Sequence, residues 1–360
     1  MNWRSRWLVL VLVGAIALIV GCASKLPDWY DPAKAHHRPD GFVNTDGLST
    51  NKAFTDLIRW RWKAWRGGLP PAPSRVYKGY ADIPVVKPDL QLLADPGRDP
   101  IATWLGHATV LLQMGGVNIL TDPHFGRRAS PVSFAGPERK VPTPLSLKEL
   151  PRIDVVVISH NHYDHLDEET VLGLTRQPGG PPLFLVPLGV DQWFKALGVG
   201  NVKALDWWDK TASGAVAIEF VPVQHWSARS LSDRNQTLWG GWVLRAGETS
   251  VFFAGDTGYS RDFARIGARF GGFDLALIPV GAYEPRWFMK AQHVNPDEAV
   301  LVHLDIKARR TVGIHWGTFE LTDEALDQPI LDLAKAIKRY ELKPDEFVLL
   351  QHGQTIEIEP

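Results

Sequence analysis

Short apolar runs separated by turn residues dominate the chain from about residue 100 onward. Runs of this length and composition predict β-strands. The first two runs, 102–114 and 117–123, flank Gly115 and Gly116, and a Gly-Gly pair in this position predicts a β-hairpin. The later runs predict further strands at 153–159, 182–187, 217–223, 240–246, 250–255, 274–280, 310–314 and 347–352.

Helical segments fall between some of these strands. Asp167 precedes a segment with acidic residues in its first turn, which predicts a helix with Asp167 as its N-cap. Asn295 and Glu298 form a capping-box pattern, which predicts another helix start. The segment 323–341 predicts a third helix, which Pro329 should kink or interrupt. Strands with interspersed helices indicate an α/β architecture with layered sheets.

The N-terminal segment has the pattern of a secretory leader. Arg4 and Arg6 precede an apolar stretch, Trp7 to Val20, that is shorter than the roughly 20 residues needed to span a membrane. The stretch ends at Gly21-Cys22, which resembles a bacterial lipobox. A plain signal peptide or anchor with an incidental cysteine is the alternative. The lipobox predicts a signal peptide over 1–21 and a lipid-modified Cys22 at the mature N-terminus.

This leader predicts a location in the bacterial cell envelope. A lipid-anchored chain of a Gram-negative host would sit on the outer membrane and face the periplasm. Cys22 is the only cysteine of the chain, so the mature protein cannot form an internal disulfide.

Residues 22–75 form a predicted N-terminal arm, followed by the main domain at 76–360. Within the arm, residues 51–66 combine apolar residues at helical spacing with basic residues between them. This pattern predicts a basic amphipathic helix that could lie on a membrane surface. An ordinary helix packed on the main domain is the alternative. Gly67-Gly68 and the prolines after it should end the helix.

Composition and charge narrow the class of partner. The chain has 360 residues, of which 45% are hydrophobic and 22% charged, as expected of a globular protein with a sizeable core. Its formal net charge of -1 gives no electrostatic basis for nucleic-acid binding. We therefore expect no nucleic-acid partner.

Metal-capable side chains follow four of the predicted strands, each just past its carboxyl end. These side chains are His160, His225, Asp256 and His315. If the strands lie side by side, the four groups converge on one edge of the sheets, where rigid strands hold the loops. The loop after the first of these strands adds His162, Asp164 and His165.

The number and type of these groups fit two metal ions. One ion could be bound by three neutral imidazoles, those of His160, His162 and His225. A second ion could be bound by Asp164, His165 and His315. Asp256 could bridge the two ions and leave an open position for water, which a catalytic site needs. Nitrogen and carboxylate ligands without thiolate favour two zinc ions, with iron or manganese as alternatives.

The order His-x-His-x-Asp-His, followed by a distant His, Asp and His, resembles the metallo-β-lactamase fold superfamily. That resemblance implies a four-layer αβ/βα sandwich with a dinuclear site at one edge of two sheets. A narrower resemblance runs from about residue 40 to near the C-terminus. The motifs "ISHNHYDHLD", "FFAGDTGY" and "PVGAYEPRWFMKAQHVNPDEAV" are similar to those of the N-acyl-phosphatidylethanolamine-hydrolysing phospholipase D family. The last of these, at 279–300, is long and distinctive.

The family resemblance implies a substrate and a reaction. The substrate would be N-acyl-phosphatidylethanolamine or a related phospholipid, and the products phosphatidic acid and an N-acylethanolamine. A hydroxide bridging the two metals would attack phosphorus, with Asp256 orienting it and His293 contacting the phosphate or protonating the leaving group. The alternative for His293 is a helix-entry residue bonded to backbone.

The resemblance also implies that the seven residues above are zinc ligands, and that the protein is a homodimer with a hydrophobic channel at its site. Animal members lack a lipobox, so the cellular setting of this chain would differ. A lactonase or other carboxylic-ester hydrolase of the same fold is the alternative function. A non-enzymatic envelope lipoprotein is a further alternative.

Other side chains carry less specific expectations. His107 and Asp122 end early strands and could support the metal ligands, or be purely structural. Three consecutive residues could line an acyl pocket or belong to the core: Trp287, Phe288 and Met289. His124 is expected near the site without a role. The remaining histidines are expected at the surface or in packing: His36, His37, His303 and His352.

Overall fold

The computed structural model describes residues 26–47, 49–66, 74–97 and 99–359. The predicted signal peptide and Cys22 lie outside the described residues, so the lipid anchor stays a prediction. Within the described ranges, no helix has both the length and the apolar character of a membrane-crossing segment.

A short N-terminal hairpin precedes the main sheets and consists of β1 (His37–Arg38) and β2 (Gly41–Phe42). The first large sheet contains β3 (Ile101–Gly106), β4 (Thr109–Met114), β5 (Val117–Thr121), β6 (Val155–Val157), β7 (Leu183–Pro187), β8 (Val202–Leu205) and β16 (Thr355–Glu357). Its strand order is β16-β3-β4-β5-β6-β7-β8, antiparallel up to β5 and parallel from β5 to β8.

The second large sheet also has seven strands. They are β9 (Lys210–Ser213), β10 (Val216–Val221), β11 (Gly241–Ala246), β12 (Thr249–Phe253), β13 (Phe273–Pro279), β14 (Ala308–Ile314) and β15 (Phe347–Val348). Their order is β15-β14-β13-β12-β11-β10-β9, and the pairs from β12 to β15 are parallel. Strands β10 and β12 are both antiparallel to β11, and β14 runs parallel to β12 through β13. The carboxyl ends of β10, β12 and β14 therefore lie at the same edge of the sheet.

The described α-helices are α1 (Phe54–Arg66), α2 (Leu90–Ala94), α3 (Glu168–Thr175), α4 (Asp191–Ala196), α5 (Asp262–Phe270), α6 (Arg286–Met289), α7 (Pro296–Asp305) and α8 (Gln328–Arg339). Two predicted caps are confirmed, since Asp167 caps α3 and Asn295 forms a capping box with Glu298 at α7. Pro329 does not kink the helix predicted over 323–341, but that helix is shortened at its start. Helix α8 starts only at Gln328, so Pro329 lies in its first turn, where no intrahelical N–H bond is lost.

Alternating side chains divide the interior into two cores. Val155 and Val157 of β6 belong to a core that joins both sheets and reaches α5, α7 and α8. Val156 and Ile158 point the other way, into a second core with α3 and α4. The protein is therefore a sandwich of two sheets flanked by helices, as predicted. The predicted hairpin is also present, since Gly115 and Gly116 link β4 to β5 with positive φ angles of 59° and 73°.

The N-terminal arm packs on this sandwich. Phe42 of β2 is only 2% exposed and stacks on Trp29 at 4.2 Å. In α1, Trp60 donates to the carboxylate of Asp323 at 2.9 Å, and its ring lies 4.9 Å from that of Phe288. The boundary at residue 75 stays a prediction, because contacts of the arm extend along the body.

Three large apolar side chains of α1 are exposed among its basic residues. Leu57, Ile58 and Trp62 are 40%, 51% and 49% exposed, whereas Trp60 on the inner side makes the contacts with the body. The contacts of Trp60 agree with the interpretation of a helix packed on the main domain, and binding of the exposed side chains to a membrane stays a prediction.

Candidate metal centre

All seven predicted metal ligands lie together at the shared strand edge. Four of them occupy the loop between β6 and α3: His160, His162, Asp164 and His165. The others follow the ends of β10, β12 and β14: His225, Asp256 and His315. Residues separated by up to 155 positions in the sequence thus meet because the strands align.

The first group consists of three imidazoles. The Nε2 atom of His160 lies 2.8 Å from Nδ1 of His162, which lies 3.4 Å from Nε2 of His225. Nitrogen ligands at about 2.05 Å from a tetrahedral zinc ion would be about 3.3 Å apart. The three nitrogen atoms therefore have the spacing of a common ion.

The second group brings one carboxylate between two imidazoles. Oδ2 of Asp164 lies 3.3 Å from Nε2 of both His165 and His315, and these two Nε2 atoms are 3.2 Å apart. A cation among these three atoms would contact the carboxylate and both nitrogen lone pairs. The donor set of this group thus also fits a divalent metal.

Asp256 stands between the two groups. Its Oδ2 atom lies 3.1 Å from Nε2 of His165 and 3.9 Å from Nε2 of both His160 and His225. Its Oδ1 atom lies 3.2 Å from Nε2 of His315. This is the position that a bridging carboxylate requires.

The charges of the site favour bound cations. Burial raises the pKa of Asp164 and Asp256, but the neighbouring histidines, His165 foremost, outweigh it and lower both pKa values well below the usual range. Burial also opposes protonation of His315, yet Asp256 raises its pKa to about 9. The two carboxylates thus require positive charge beside them, which metal ions would supply.

The first group is neutral by contrast. Burial is the largest cause that lowers the pKa of His160 and His225 well below the usual value, and that of His162 to about 3. Neutral imidazole is the form that binds metal, so this group needs no deprotonation on binding.

Hydrogen bonds to the second ring nitrogen orient three of the histidines. Nδ1 of His165 lies 2.7 Å from the Asp122 carboxylate, and Nδ1 of His225 lies 2.9 Å from the Gln292 carbonyl oxygen. Nδ1 of His160 lies 2.9 Å from Oγ of Ser159, which itself donates to Asp122. In each case Nδ1 carries the proton and Nε2 faces the centre, the arrangement that fixes metal ligands.

The two residues expected to support the ligands contact them. Asp122 is fully buried and accepts from the backbone N–H of Ser159 at 2.6 Å as well as from His165. His107 places Nε2 at 3.0 Å from Oδ2 of Asp164, and its carbonyl oxygen accepts from the N–H of His315 at 2.9 Å.

Unusual backbone conformations gather at the same edge. His107, Asp122 and His315 have positive φ angles of 52°, 31° and 62°, which side-chain-bearing residues rarely adopt. Gly255, directly before Asp256, has a φ of 61°, and a Cβ there would overlap the side chain of Ser159. The surrounding strands hold these conformations and thereby aim the side chains at one point.

His293 lies beside Asp256 and borders the centre. Its Nδ1 atom is 3.9 Å from Oδ2 of Asp256, and its ring stands edge-on to His225 at 5.3 Å. Within the described part of the chain, this buried nitrogen has no hydrogen-bond partner. The ring is therefore not bonded to backbone through Nδ1. The backbone of His293 is held instead: its N–H donates to the Met289 carbonyl oxygen at 2.9 Å, and its carbonyl oxygen accepts from Arg286 at 2.8 Å. Burial lowers the His293 pKa to about 4.

Sequence reasoning did not identify Arg229. Its Nη1 donates to the carbonyl oxygens of Asn161 at 3.0 Å and Leu166 at 2.8 Å, at the two ends of the ligand-bearing loop. Its guanidinium lies 4.0 Å from the ring of Tyr163 and 5.1 Å from that of Trp193. Arg229 stands four residues after His225, but a single arginine there carries no motif that would reveal this contact.

The other histidines serve in packing, as expected. His303 contacts Thr311 at 2.8 Å, His352 contacts Thr318 at 3.1 Å, and His124 lies near Phe319. Trp287 is 43% exposed, whereas Phe288 and Met289 are buried.

A second His-His-Asp cluster lies away from the centre. His36 and His37 contact the two carboxylate oxygens of Asp206 at 2.7 and 3.0 Å, and Lys34 pairs with the same carboxylate. Nδ1 of His37 accepts the N–H of Asp31, so its Nε2 carries the proton given to Asp206. This cluster is therefore an ion-paired anchor of the arm rather than a metal site.

Comparisons with known proteins agree with this geometry. A family model described as "Beta-lactamase superfamily domain" matches residues 117–316. The N-acyl-phosphatidylethanolamine-hydrolyzing phospholipase D 1 of Caenorhabditis elegans is 44% identical over 266 residues, which cover 70% of this chain and 74% of the relative. The chain belongs to the N-acyl-phosphatidylethanolamine-hydrolysing phospholipase D family of the metallo-β-lactamase superfamily.

The family also includes bacterial relatives. An uncharacterised protein of Mycobacterium tuberculosis is 37% identical over 338 residues, which cover 92% of this chain and 87% of the relative. Among solved structures, an isothiocyanate hydrolase from Delia radicum gut bacteria superposes with a TM-score of 0.57 at 19% identity, covering 71% of this chain and 98% of its own. This likeness shows the fold. The resemblance stated from the motifs is thus confirmed, and the lipoprotein form stays a prediction.

Replacing Asp122 tests the site without changing any of the seven candidate ligands. Asp122→Ala removes the acceptor for His165 Nδ1, so metal affinity should fall by about 10- to 100-fold. Competition with a chromogenic chelator measures this change. Asp274→Ala is the matched control, because Asp274 also accepts from a serine N–H and hydroxyl, both of Ser250 at 2.8 Å, but contacts no ligand. Equal metal affinity in the two variants would contradict the supporting role.

Proposed function

We propose that this protein hydrolyses the phosphodiester bond of N-acyl-phosphatidylethanolamine or a related phospholipid. The products would be phosphatidic acid and an N-acylethanolamine. The observation that carries the proposal is the convergence of seven ligands in two groups around Asp256, in a chain 44% identical to a relative named for this reaction. Two zinc ions are the metals we propose, with iron and manganese as alternatives.

In this proposal the residues divide into binding, orienting and proton-transfer roles. Two metals bound here would lower the pKa of water and offset charge on the phosphoryl oxygens. The first ion would be held by His160, His162 and His225, and the second by Asp164, His165 and His315. Asp256 contacts both groups, so its carboxylate would orient the attacking oxygen midway between them.

His293 would assist departure of the leaving group. Attack of water on phosphorus breaks the bond to the oxygen of the N-acylethanolamine, and that oxygen needs a proton. The His293 ring is buried beside Asp256 with an unbonded Nδ1 among the described residues, so it can contact the phosphate or carry a proton to this oxygen. Burial lowers the pKa of His293 to about 4, and the negative charge of a bound phosphate would act in the opposite direction and favour the protonated ring.

The lipid would approach past α1 and α6. Arg59 and Lys63 of α1 lie over the exposed ring of Trp287 at 5.2 and 5.5 Å. Basic groups over aromatic rings, beside the exposed apolar side of α1, form the type of surface that binds an anionic membrane. This surface would present lipid to the centre, because α6 leads directly to His293.

The proposal also includes a location in the cell envelope and a homodimeric state. A lipidated Cys22 would hold the enzyme on the envelope, on the periplasmic face of the outer membrane in a Gram-negative host. Homodimer formation is carried over from the family resemblance.

The reaction is tested with metal-loaded protein and a synthetic N-acyl-phosphatidylethanolamine in ¹⁸O-labelled water. Mass spectrometry should detect the ethanolamide without label and phosphatidic acid with one ¹⁸O, since water attacks phosphorus. Asp256→Ala should abolish turnover. Label in the ethanolamide would place the attack at carbon. Turnover of acyl-lactones without any turnover of phosphodiester lipids would favour the lactonase alternative.

The role of His293 predicts a dependence on the leaving group. His293→Ala should lower turnover of N-acyl lipids by about 100-fold or more while both metals stay bound. A phosphodiester with a nitrophenolate leaving group should be affected little, because nitrophenolate leaves without a proton. Steady-state kinetics on both substrates and metal analysis measure this. Equal losses on both substrates would assign His293 to phosphate contact instead, and full turnover on both would exclude a catalytic role.

The apolar side of α1 predicts membrane binding. Replacing Leu57, Ile58 and Trp62 together by serine should weaken binding to anionic vesicles by about tenfold or more, since apolar area would no longer enter the lipid. Sedimentation with vesicles measures this, with Cys22→Ala present so that acylation does not contribute. The control replaces Leu304 and Leu331, which are similarly exposed on α7 and α8. Equal binding by both variants would exclude α1 as the membrane contact.

A further inference from the structure

The N-terminal arm reaches the metal centre through one buried side chain. Asn44 lies three residues after the start of β2 and 73 residues before the segment matched by the family model. Its side-chain amide Nδ2 donates to the carbonyl oxygen of His225 at 3.0 Å, and its Oδ1 accepts the N–H of His225 at 3.0 Å. One side chain thus satisfies both backbone polar groups of a candidate metal ligand.

A third bond fixes the orientation of the Asn44 amide. Nε1 of Trp239 donates to the same Oδ1 at 3.0 Å and shares this hydrogen with the Val223 carbonyl oxygen at 3.1 Å. Because tryptophan Nε1 only donates, the atom facing it must be oxygen, and the nitrogen must then face the His225 carbonyl. Asn44 and Trp239 are buried, and His225 is fully buried. The three bonds therefore operate without competition from water.

The arm also contacts the segment after His225 at two other positions. The Phe42 N–H donates to the Asn235 carbonyl oxygen at 2.8 Å, and Arg234 donates to the Thr50 carbonyl oxygen at 2.9 Å. At its other end, the arm is anchored where Lys34, His36 and His37 meet Asp206. Among these contacts, Asn44 is the one that touches the ligand itself.

We propose that Asn44 is a positioning residue for the metal centre, and that the arm thereby forms part of the active site. The His225 ring is held at Nδ1 by the Gln292 carbonyl oxygen, and its backbone is held by Asn44. Together the two contacts fix the Nε2 atom toward His160 and His162. Without Asn44, the His225 backbone would lose both partners, and its ring would no longer be directed at the first ion.

This inference rests on the proposed metal site and is tested by metal binding rather than by activity alone. Asn44→Ala removes all three bonds. Asn44→Asp keeps the shape and the acceptor, but turns a carboxylate oxygen toward the His225 carbonyl oxygen. Both variants should lose about 10- to 100-fold in affinity for one of two bound ions, a loss like that caused by removing other partners of metal ligands. The visible spectrum of the cobalt-substituted protein should change for that ion alone.

The matched control is His36→Ala, which weakens the anchor of the arm at Asp206 and leaves Asn44 in place. It should lower the thermal midpoint without changing metal affinity or the cobalt spectrum. Unchanged affinity and spectrum in Asn44→Asp would overturn the inference, as would an equal loss of affinity in His36→Ala. If Asn44→Ala does not fold, Asn44→Asp decides. Wild-type protein that binds no metal would instead refute the proposed function, so the two failures are distinguishable.

Discussion

Two carboxylates enclosed by histidines are the constraint on which the rest of the structure depends. The side chains of Asp164 and Asp256 are only 14% and 2% exposed, so an unpaired charge on either would be strongly destabilising. Positive charge must therefore be supplied within about 4 Å, either by protonated His165 and His315 or by metal ions. No single strand can supply these groups, so the centre exists only where the edges of both sheets meet. The layered architecture is thus a requirement of the site as well as its support.

Rigidity at this edge comes from several independent supports. Asp122 and Ser159 fix His160 and His165, and Arg229 ties the ends of the ligand-bearing loop together. Asn44 reaches the centre from the arm. Each support is a polar side chain with more than one hydrogen bond, so it defines a direction as well as a distance. Such supports keep the candidate ligands oriented toward one centre.

The ligands could be predicted from the sequence because local patterns reveal where strands end. An apolar run that stops at His160 or His315 identifies both the strand and the residue that projects from its end. The contacts of Asn44 and Arg229 could not be predicted in this way. They depend on which distant segments dock together, and a single asparagine or arginine in a loop has no periodicity to mark it. Pro329 shows a further limit of the sequence pattern. Periodicity predicted a helix that begins at residue 323, whereas the observed helix begins at Gln328 and has Pro329 in its first turn.

The candidate metal ligands limit the chemistry that is available, but they do not determine the substrate. The same fold is shared with an isothiocyanate hydrolase at 19% identity, so the sandwich itself is compatible with different substrates. We therefore attribute selectivity to the groups that border the centre without binding metal, namely α1, α6 and His293. Helix α1 contacts α6 mainly through rings and cations, with Trp60 against Phe288 and Arg59 over Trp287. Such side-chain contacts can change the shape of the entrance while the ligands stay in place, because α1 contributes no backbone to the sheets.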